Sequence, residues 1–283
     1  MAKSKKLIIT AAMVGNATSR EQTPYVPITP DEIAADAVAC VKAGASVLHI
    51  HVRDKDGINT MDPEVWKEVI TKVRAALKAE GLDAILNPTT SGSKFPDEMR
   101  IHHLDFIKPE MCSFDPGSMN WANSFVFLNT PTFLEKLGKH IQEIDVKPEI
   151  EIFDGGHIQN VYYYIKKGIL KTPCHIQFVL GVTGALPGDA ESLAYLLPKI
   201  PEGSTWSITG IGKAHIPCML LGLAAGCDGL RVGLEDNLYL DKGVLATNAQ
   251  LVERAVKLAK LCNREIATAE EAREILGVKK KVD

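Results

Sequence analysis

The chain has 283 residues, with Lys+Arg 32 against Asp+Glu 35 and a formal net charge of -3. With neither a basic excess nor a Lys/Arg block, it offers phosphates no counter-charge, so neither nucleic acid nor an anionic membrane is expected as a partner. Hydrophobic residues at 46% and charged residues at 24% exclude disorder as the main state, and apolar stretches such as 219–225 fall short of the roughly 20 residues that a membrane span needs.

At the N-terminus Lys3, Lys5 and Lys6, followed by the apolar run 7–14, imitate a secretory signal. That run is short, β-branched at Ile8, Ile9 and Thr10, and broken by Gly15, so a buried first strand is the better reading. From there, apolar and β-branched runs of strand length alternate with amphipathic runs of helix length. The spacing predicts strands over 7–13, 47–53, 84–90, 106–114, 148–153, 175–182, 205–211 and 229–234. Helices are predicted over 30–43, 63–80, a short segment near 96–103, 131–144, 158–169, 190–199, 216–225 and 248–263. Thr29-Pro30-Asp31-Glu32 supplies a capping hydroxyl, a proline at the first helical position and an acidic first turn. Eight strand-then-helix units in about 250 residues match a single-domain (β/α)8 TIM barrel spanning 1–283, with one extra C-terminal helix over 269–276. An open dinucleotide-binding sheet is disfavoured, because the first strand runs into a polar loop rather than a G-x-G-x-x-G turn. Six scattered cysteines without a C-x-x-C pair point to free thiols in a reducing cytoplasm.

In such a barrel the chemistry sits at the C-terminal ends of the strands. The second strand ends His49-Ile50-His51, and a period of two turns both imidazoles to one face, the spacing for a shared metal ion. Two hydrogen-bonded barrel histidines are the bland alternative. The eighth barrel strand carries Arg231, Glu235, Asp236 and Asn237, and closure brings it near the second, so Glu235 can complete a two-histidine, one-carboxylate site with an open position. A structural ion-pair cluster is the competing reading for Arg231, Glu235 and Asp236. The fifth places Glu149 and Glu151 on one face, where buried carboxylates need a cation such as Arg231. Glu151, nearer the C-terminal end, is the catalytic choice and Glu149 a structural acid. Asp54 is read as the start of a turn, His175 as structural and His215 as a pocket residue.

The chain resembles the β-keto acid cleavage enzyme family, the group that includes 3-keto-5-aminohexanoate cleavage enzyme. The resemblance is carried by blocks along nearly the whole chain: Ile9-Thr10-Ala11-Ala12 with Gly15, His49-Ile50-His51-Val52-Arg53, Lys108-Pro109-Glu110-Met111, Pro148-Glu149-Ile150-Glu151, Gly210-Ile211-Gly212, and Arg231 through Asn237. It implies a homotetrameric barrel with one zinc per subunit held by His49, His51 and Glu235. It also implies that Arg231 acts with Glu151 and Asp236, and that Thr89, Gly92 and Ser113 surround the substrate carboxylate. In the aminohexanoate enzyme an acidic residue meets the substrate's amino group; here that position is Ala17, with Asn16 beside it as a hydrogen-bonding group. The expected substrate is therefore not 3-keto-5-aminohexanoate, and its side chain is neutral or differently charged.

The reaction implied converts a β-keto acid and acetyl-CoA, as co-substrate, into acetoacetate and an acyl-CoA. It needs a proton removed between ketone and carboxylate, with a divalent ion favouring the enolate. Attack on the acetyl thioester, addition of the released thiolate to the original ketone and retro-Claisen cleavage would follow. Whether Arg231 moves the proton or holds the anion, with a carboxylate as the base, stays open at this level. The alternative is another metal-dependent TIM-barrel enzyme, an aldolase, lyase or hydrolase, on the same His-x-His plus Glu site. A non-catalytic barrel with a structural metal is weakened by the count of three ligands rather than four.

Overall fold

The computed structural model describes residues 6–281; Lys3 and Lys5 of the signal-like segment lie outside them. In chain order the strands are β1 (Ile8–Ala12), β2 (Val47–Ile50), β3 (Ile85–Pro88), β4 (Met111–Phe114), the short pair β5 (Met119–Trp121) and β6 (Phe125–Phe127), β7 (Lys147–Ile152), β8 (His175–Leu180), β9 (Thr205–Gly210), β10 (Gly229–Val232), and a second short pair, β11 (Tyr239–Asp241) and β12 (Val244–Leu245). The helices are α1 (Pro30–Ala43), α2 (Pro63–Ala79), α3 (Asp97–Ile107), α4 (Pro131–Glu143), α5 (Gly155–Lys166), α6 (Ala190–Leu196), α7 (His215–Ala225), α8 (Asn248–Leu261) and α9 (Ala269–Leu276).

Eight parallel strands form one sheet in the order β3-β2-β1-β10-β9-β8-β7-β4, a nearly closed barrel with helices between the strands. Among the described residues β3 and β4 share no strand ladder. Their ends are joined instead by side-chain bonds: the Thr90 amide donates to Ser113 Oγ at 3.0 Å and Thr90 Oγ1 to the Ser113 carbonyl at 2.9 Å.

Capping explains the helix starts. Thr29 and Glu32 form a reciprocal capping box ahead of α1, and Asp62, Thr130, Asp154 and Asp189 each accept an amide from the first turn of their helix. The Asp154 cap begins α5 three residues before the expected start at 158. α3 is longer than expected and takes Phe106 and Ile107 from the predicted fourth strand, because that apolar pair continues a helix that stops only at Lys108, in the left-handed conformation. Both hairpins were unforeseen. Each is short and partly exposed, so neither has the sustained alternation that marks a strand.

The barrel interior is layered. Ile8, Val47, Ile85 and Met111 make an apolar floor, sealed by Ala272 and Leu276 of α9. Above the floor the filling turns polar, with His175, Glu149, Gln177, Ser207 and Arg231 all buried. Buried polar groups are costly unless paired or used, and this change of filling faces the C-terminal ends of the strands.

Candidate active site

His49 projects from β2, while His51 follows its last ladder residue; the alternating Leu48, Ile50 and Val52 are buried in the outer core against the helices. Glu235 follows β10, which pairs with β1, and β1 pairs with β2, so the acid meets both imidazoles. His49 Nε2 lies 3.5 Å from Glu235 Oε2, and His51 Nε2 lies 3.3 Å from Glu235 Oε1. Three residues beyond the end of β1, Gly15 at φ +64 leaves room for Glu235: a Cβ there would stand 2.7 Å from Glu235 Cγ. Arg53 fixes this loop, donating from Nε to the Gly15 carbonyl and from Nη2 to the Thr18 carbonyl, both at 3.0 Å.

Arg231 is buried between three carboxylates. Its Nε and Nη2 fork onto Asp236 at 2.9 and 3.1 Å, Nη1 reaches Glu151 at 3.1 Å, and Nη2 reaches Glu235 at 2.9 Å. Burial opposes the charged guanidinium, yet Asp236, Glu151 and Glu235 more than offset it and hold its pKa well above the usual arginine value. Burial raises Glu151 well above the ordinary carboxylate range, against the pull of Arg231. For Glu235 burial also acts upward, but His51, Arg231 and His49 outweigh it and keep the carboxyl well below its ordinary value. Burial drives His49 well below 6.5, leaving a neutral imidazole with a free lone pair.

His49, His51 and Glu235 present donor atoms within 4.8 Å of one another, and Glu235 Oε2 has no hydrogen-bond partner. Glu235, held ionised by its neighbours, stands beside the neutral His49, and a charged oxygen next to an imidazole lone pair is a donor set that suits a divalent cation. The residues present therefore fit a catalytic metal with an open position. An overlapping set, His49, Glu149 and Glu151, also converges, but Glu149 does not line the cavity. It sits beneath, fully buried, with Oε2 accepting from Asn87 Nδ2 at 2.6 Å and lying 4.0 Å from His49 Nδ1.

These groups open into a cavity with an empty volume of about 640 Å³. Asn16, Ala17, Thr89, His49, His51, Glu151, Arg231, Glu235 and Asp236 all line it. Gly92 and Ser113 do not. Gly92 is packed against Met61, Arg100 and Phe95, and the Ser113 hydroxyl is spent on the β3–β4 seam; Ser91 and Asp115 stand in the wall instead. Asp54 closes its turn, accepting the amides of Asp56 and Ile58, and His175 is held by Thr205 and Ser207 near the barrel's lower end. His215 faces a neighbouring cleft rather than this cavity.

A family model for beta-keto acid cleavage enzyme matches residues 6–278. The chain belongs to the β-keto acid cleavage enzyme family. It is 42% identical over 277 residues to the 3-keto-5-aminohexanoate cleavage enzyme of Fusobacterium nucleatum subsp. nucleatum, covering 98% of this chain and 99% of the relative. It is 33% identical over 303 residues to 3-dehydrocarnitine:acetyl-CoA trimethylamine transferase of Rhizobium meliloti, covering 99% of each. Among solved structures, apo ObcA superposes with a TM-score of 0.77 at 23% identity, over 90% of this chain and 66% of that one, a likeness of fold.

Against this family background, the residues missed by the sequence reading are mostly those that shape rather than react. Trp121, Phe125 and Phe127 come from the unforeseen β5–β6 hairpin and, with Phe153, form an aromatic wall over the cavity. Asp115 sits just past the end of β4, and burial, against Arg100, lifts its carboxyl to about 7. Its position just after a barrel strand was the available signal. Thr209 donates to Asp236 Oδ2 at 3.1 Å, and the alternation Thr205, Ser207, Thr209 along β9 was the signal that puts it on the inner face.

Proposed function

We propose that this chain cleaves a β-keto acid with acetyl-CoA, giving acetoacetate and the acyl-CoA of the remaining fragment. The observation that carries the reading is the meeting, in one cavity, of the His49, His51 and Glu235 donors with Arg231 and its carboxylates. Relatives named as acetyl-CoA transferases, such as the Rhizobium meliloti enzyme, support the co-substrate. His49, His51 and Glu235 would hold one zinc per subunit, which would polarise the keto oxygen and acidify the carbon between ketone and carboxylate.

Arg231 stays cationic, because its three carboxylate partners stabilise the charge. Its role is to hold the anionic intermediate, not to take a proton. Glu151 is the base: it lines the cavity, is bound through one oxygen to Arg231, and has a raised proton affinity from burial. Asp236 locks the guanidinium plane through its two-point contact. Thr89, with Gly92 and Ser113 shaping the β3 and β4 loops behind it, receives the substrate carboxylate. Asn16 and Ala17 face the substrate side chain. Ala17 brings no carboxylate to pair with the 5-ammonium, which disfavours 3-keto-5-aminohexanoate, while the aromatic wall offers apolar surface to the side chain.

The enzyme is proposed to be a cytoplasmic homotetramer. The free cysteines fit a reducing compartment, and the tetramer follows the family; among the described residues, no helix is long and apolar enough to cross a membrane.

The test is acetoacetate formation by the zinc-loaded protein with acetyl-CoA and a panel of β-keto acids. Glu151→Gln and His49→Ala should each abolish it. Zinc binding without acetoacetate from any acid would refute the reaction.

A further inference from the structure

A second, open cleft of about 1010 Å³ lies beside the active-site cavity on the same face of the barrel. The two share walls along the chain: Ile211 lines the cavity and Gly212 the cleft, while Asp236 lines the cavity and Asn237 the cleft. The Gly212 amide donates to the Asp236 carbonyl at 3.0 Å, tying both walls together. Cavity and cleft therefore lie next to each other on either side of this bonded pair of segments.

The cleft is cationic and partly apolar. Lys213 and Lys242 are exposed at its sides, and Arg254 lies half-buried in it. Among the described residues none of the three has a carboxylate within ion-pair distance, although acidic Asp241 is also in the lining. Arg254 spends its guanidinium on the Leu240 carbonyl at 2.6 Å and on His215 Nδ1 at 2.8 Å, which pins the β11–β12 hairpin as one side of the cleft. Tyr239 on that hairpin is 48% exposed and Ile216 on α7 is 42% exposed, so exposed apolar side chains share the cleft with Lys213 and Lys242.

We infer that this cleft binds the phosphate-bearing nucleotide end of acetyl-CoA, with Lys213 and Lys242 meeting the phosphates and Tyr239 offering its face to the base. Free ammonium groups suit phosphate oxygens, and base stacking on an aromatic ring is sequence-tolerant and favourable. The shared wall then directs the thioester arm past Gly212 and Asn237 into the cavity. The inference rests on the proposed acetyl-CoA reaction for its choice of anion, but the binding arm of its test does not depend on turnover.

CoA is titrated calorimetrically into the parent protein and into Lys213→Glu/Lys242→Glu, whose altered side chains are exposed and leave the core intact. The variant should bind CoA at least about tenfold more weakly, and added salt should weaken the parent far more than the variant. In turnover, the preference for acetyl-CoA over acetyl-pantetheine, which lacks the nucleotide, should fall about tenfold in the variant. Affinity within about twofold of the parent, or an unchanged preference, overturns the inference. A fall in oligomeric mass with unchanged CoA affinity would make the cleft a subunit contact and overturns it as well. Lysine-dependent CoA binding without acetoacetate would instead refute the reaction and leave the cleft standing. No CoA binding at all refutes the cleft.

Discussion

Arg231→Met removes the one cation from a group of three carboxylates while keeping an unbranched side chain of similar length. In the parent, Glu151, Glu235 and Asp236 all bond to the guanidinium, at 3.1, 2.9 and 2.9 Å, and Arg231 is 2% exposed. Breaking a buried ion pair from one side typically costs about 3–5 kcal/mol, because the charge left behind has no water to replace its partner. Three stranded carboxylates place Arg231→Met at the upper end, about 5 kcal/mol, when all are ionised. The pH dependence follows from linkage. Burial already raises Glu151 and Asp236, with Arg231 opposing, so in the variant their folded pKa values rise further above the unfolded ones. The unfolded chain then releases protons first as pH rises, so the variant loses stability going up in pH. Denaturant unfolding, with chelator present so that metal binding adds nothing, should show a larger deficit at pH 8 than at pH 5. Adding Asp236→Asn should recover about 2 kcal/mol of it at pH 8. A deficit under about 1 kcal/mol, equal at both pH values, would refute the reading of Arg231 as the counter-charge of the site.

Gly15→Ala would place a methyl group 2.7 Å from Glu235 Cγ, so chelator competition should show a metal affinity lowered roughly 10- to 100-fold; unchanged affinity would mean that the loop gives way and Gly15 does not set the carboxylate. Ala17→Glu puts a carboxylate into the cavity wall and should raise kcat/KM for 5-amino keto acids about tenfold, or about 1.4 kcal/mol, while lowering it for neutral ones. No change in that ratio would place the substrate side chain elsewhere. His103 is fully buried, stacked 4.5 Å from Trp66, and burial lowers its pKa from 6.5 to about 3. As pH falls below 6.5 the unfolded chain binds this proton first, so the parent should lose about 1.4 kcal/mol per unit from this group alone. Thermal and denaturant unfolding between pH 7.5 and 5.5 should show a shallower decline for His103→Phe, and parallel curves would contradict a neutral, buried imidazole.

Much of this protein is written in local patterns. The alternation of eight strand-like and helix-like runs led to the barrel, since period and capping act over a few residues: Thr29 and Glu32 start α1 where expected, and Asn248 and Ala269 begin their helices as read. Where two local signals competed, at Phe106 and Ile107, only the packed helix decided between them. The spacing of His49 and His51 was legible for the same reason, because alternation along a strand is a property of the backbone itself.

What the chain brings from afar was decided by the tertiary fold. Nothing local tells that Arg231 bonds to Glu151, 80 positions away, while Glu149, two residues from Glu151 on the same face, turns to Asn87. That choice depends on the height at which each strand meets its neighbour, which pairs Thr10 with Arg231 and Glu149 with His175. Most of the aromatic wall and one side of the cationic cleft come from short hairpins after the strands, where no periodic signal exists and only contact with the barrel gives the segment its shape. Sequence by itself indicated the barrel and most of the side chains that line its candidate site, because period, capping and motif are short-range; closing the ring set which of those side chains meet, because those are long-range contacts that exist only once the strands are in register.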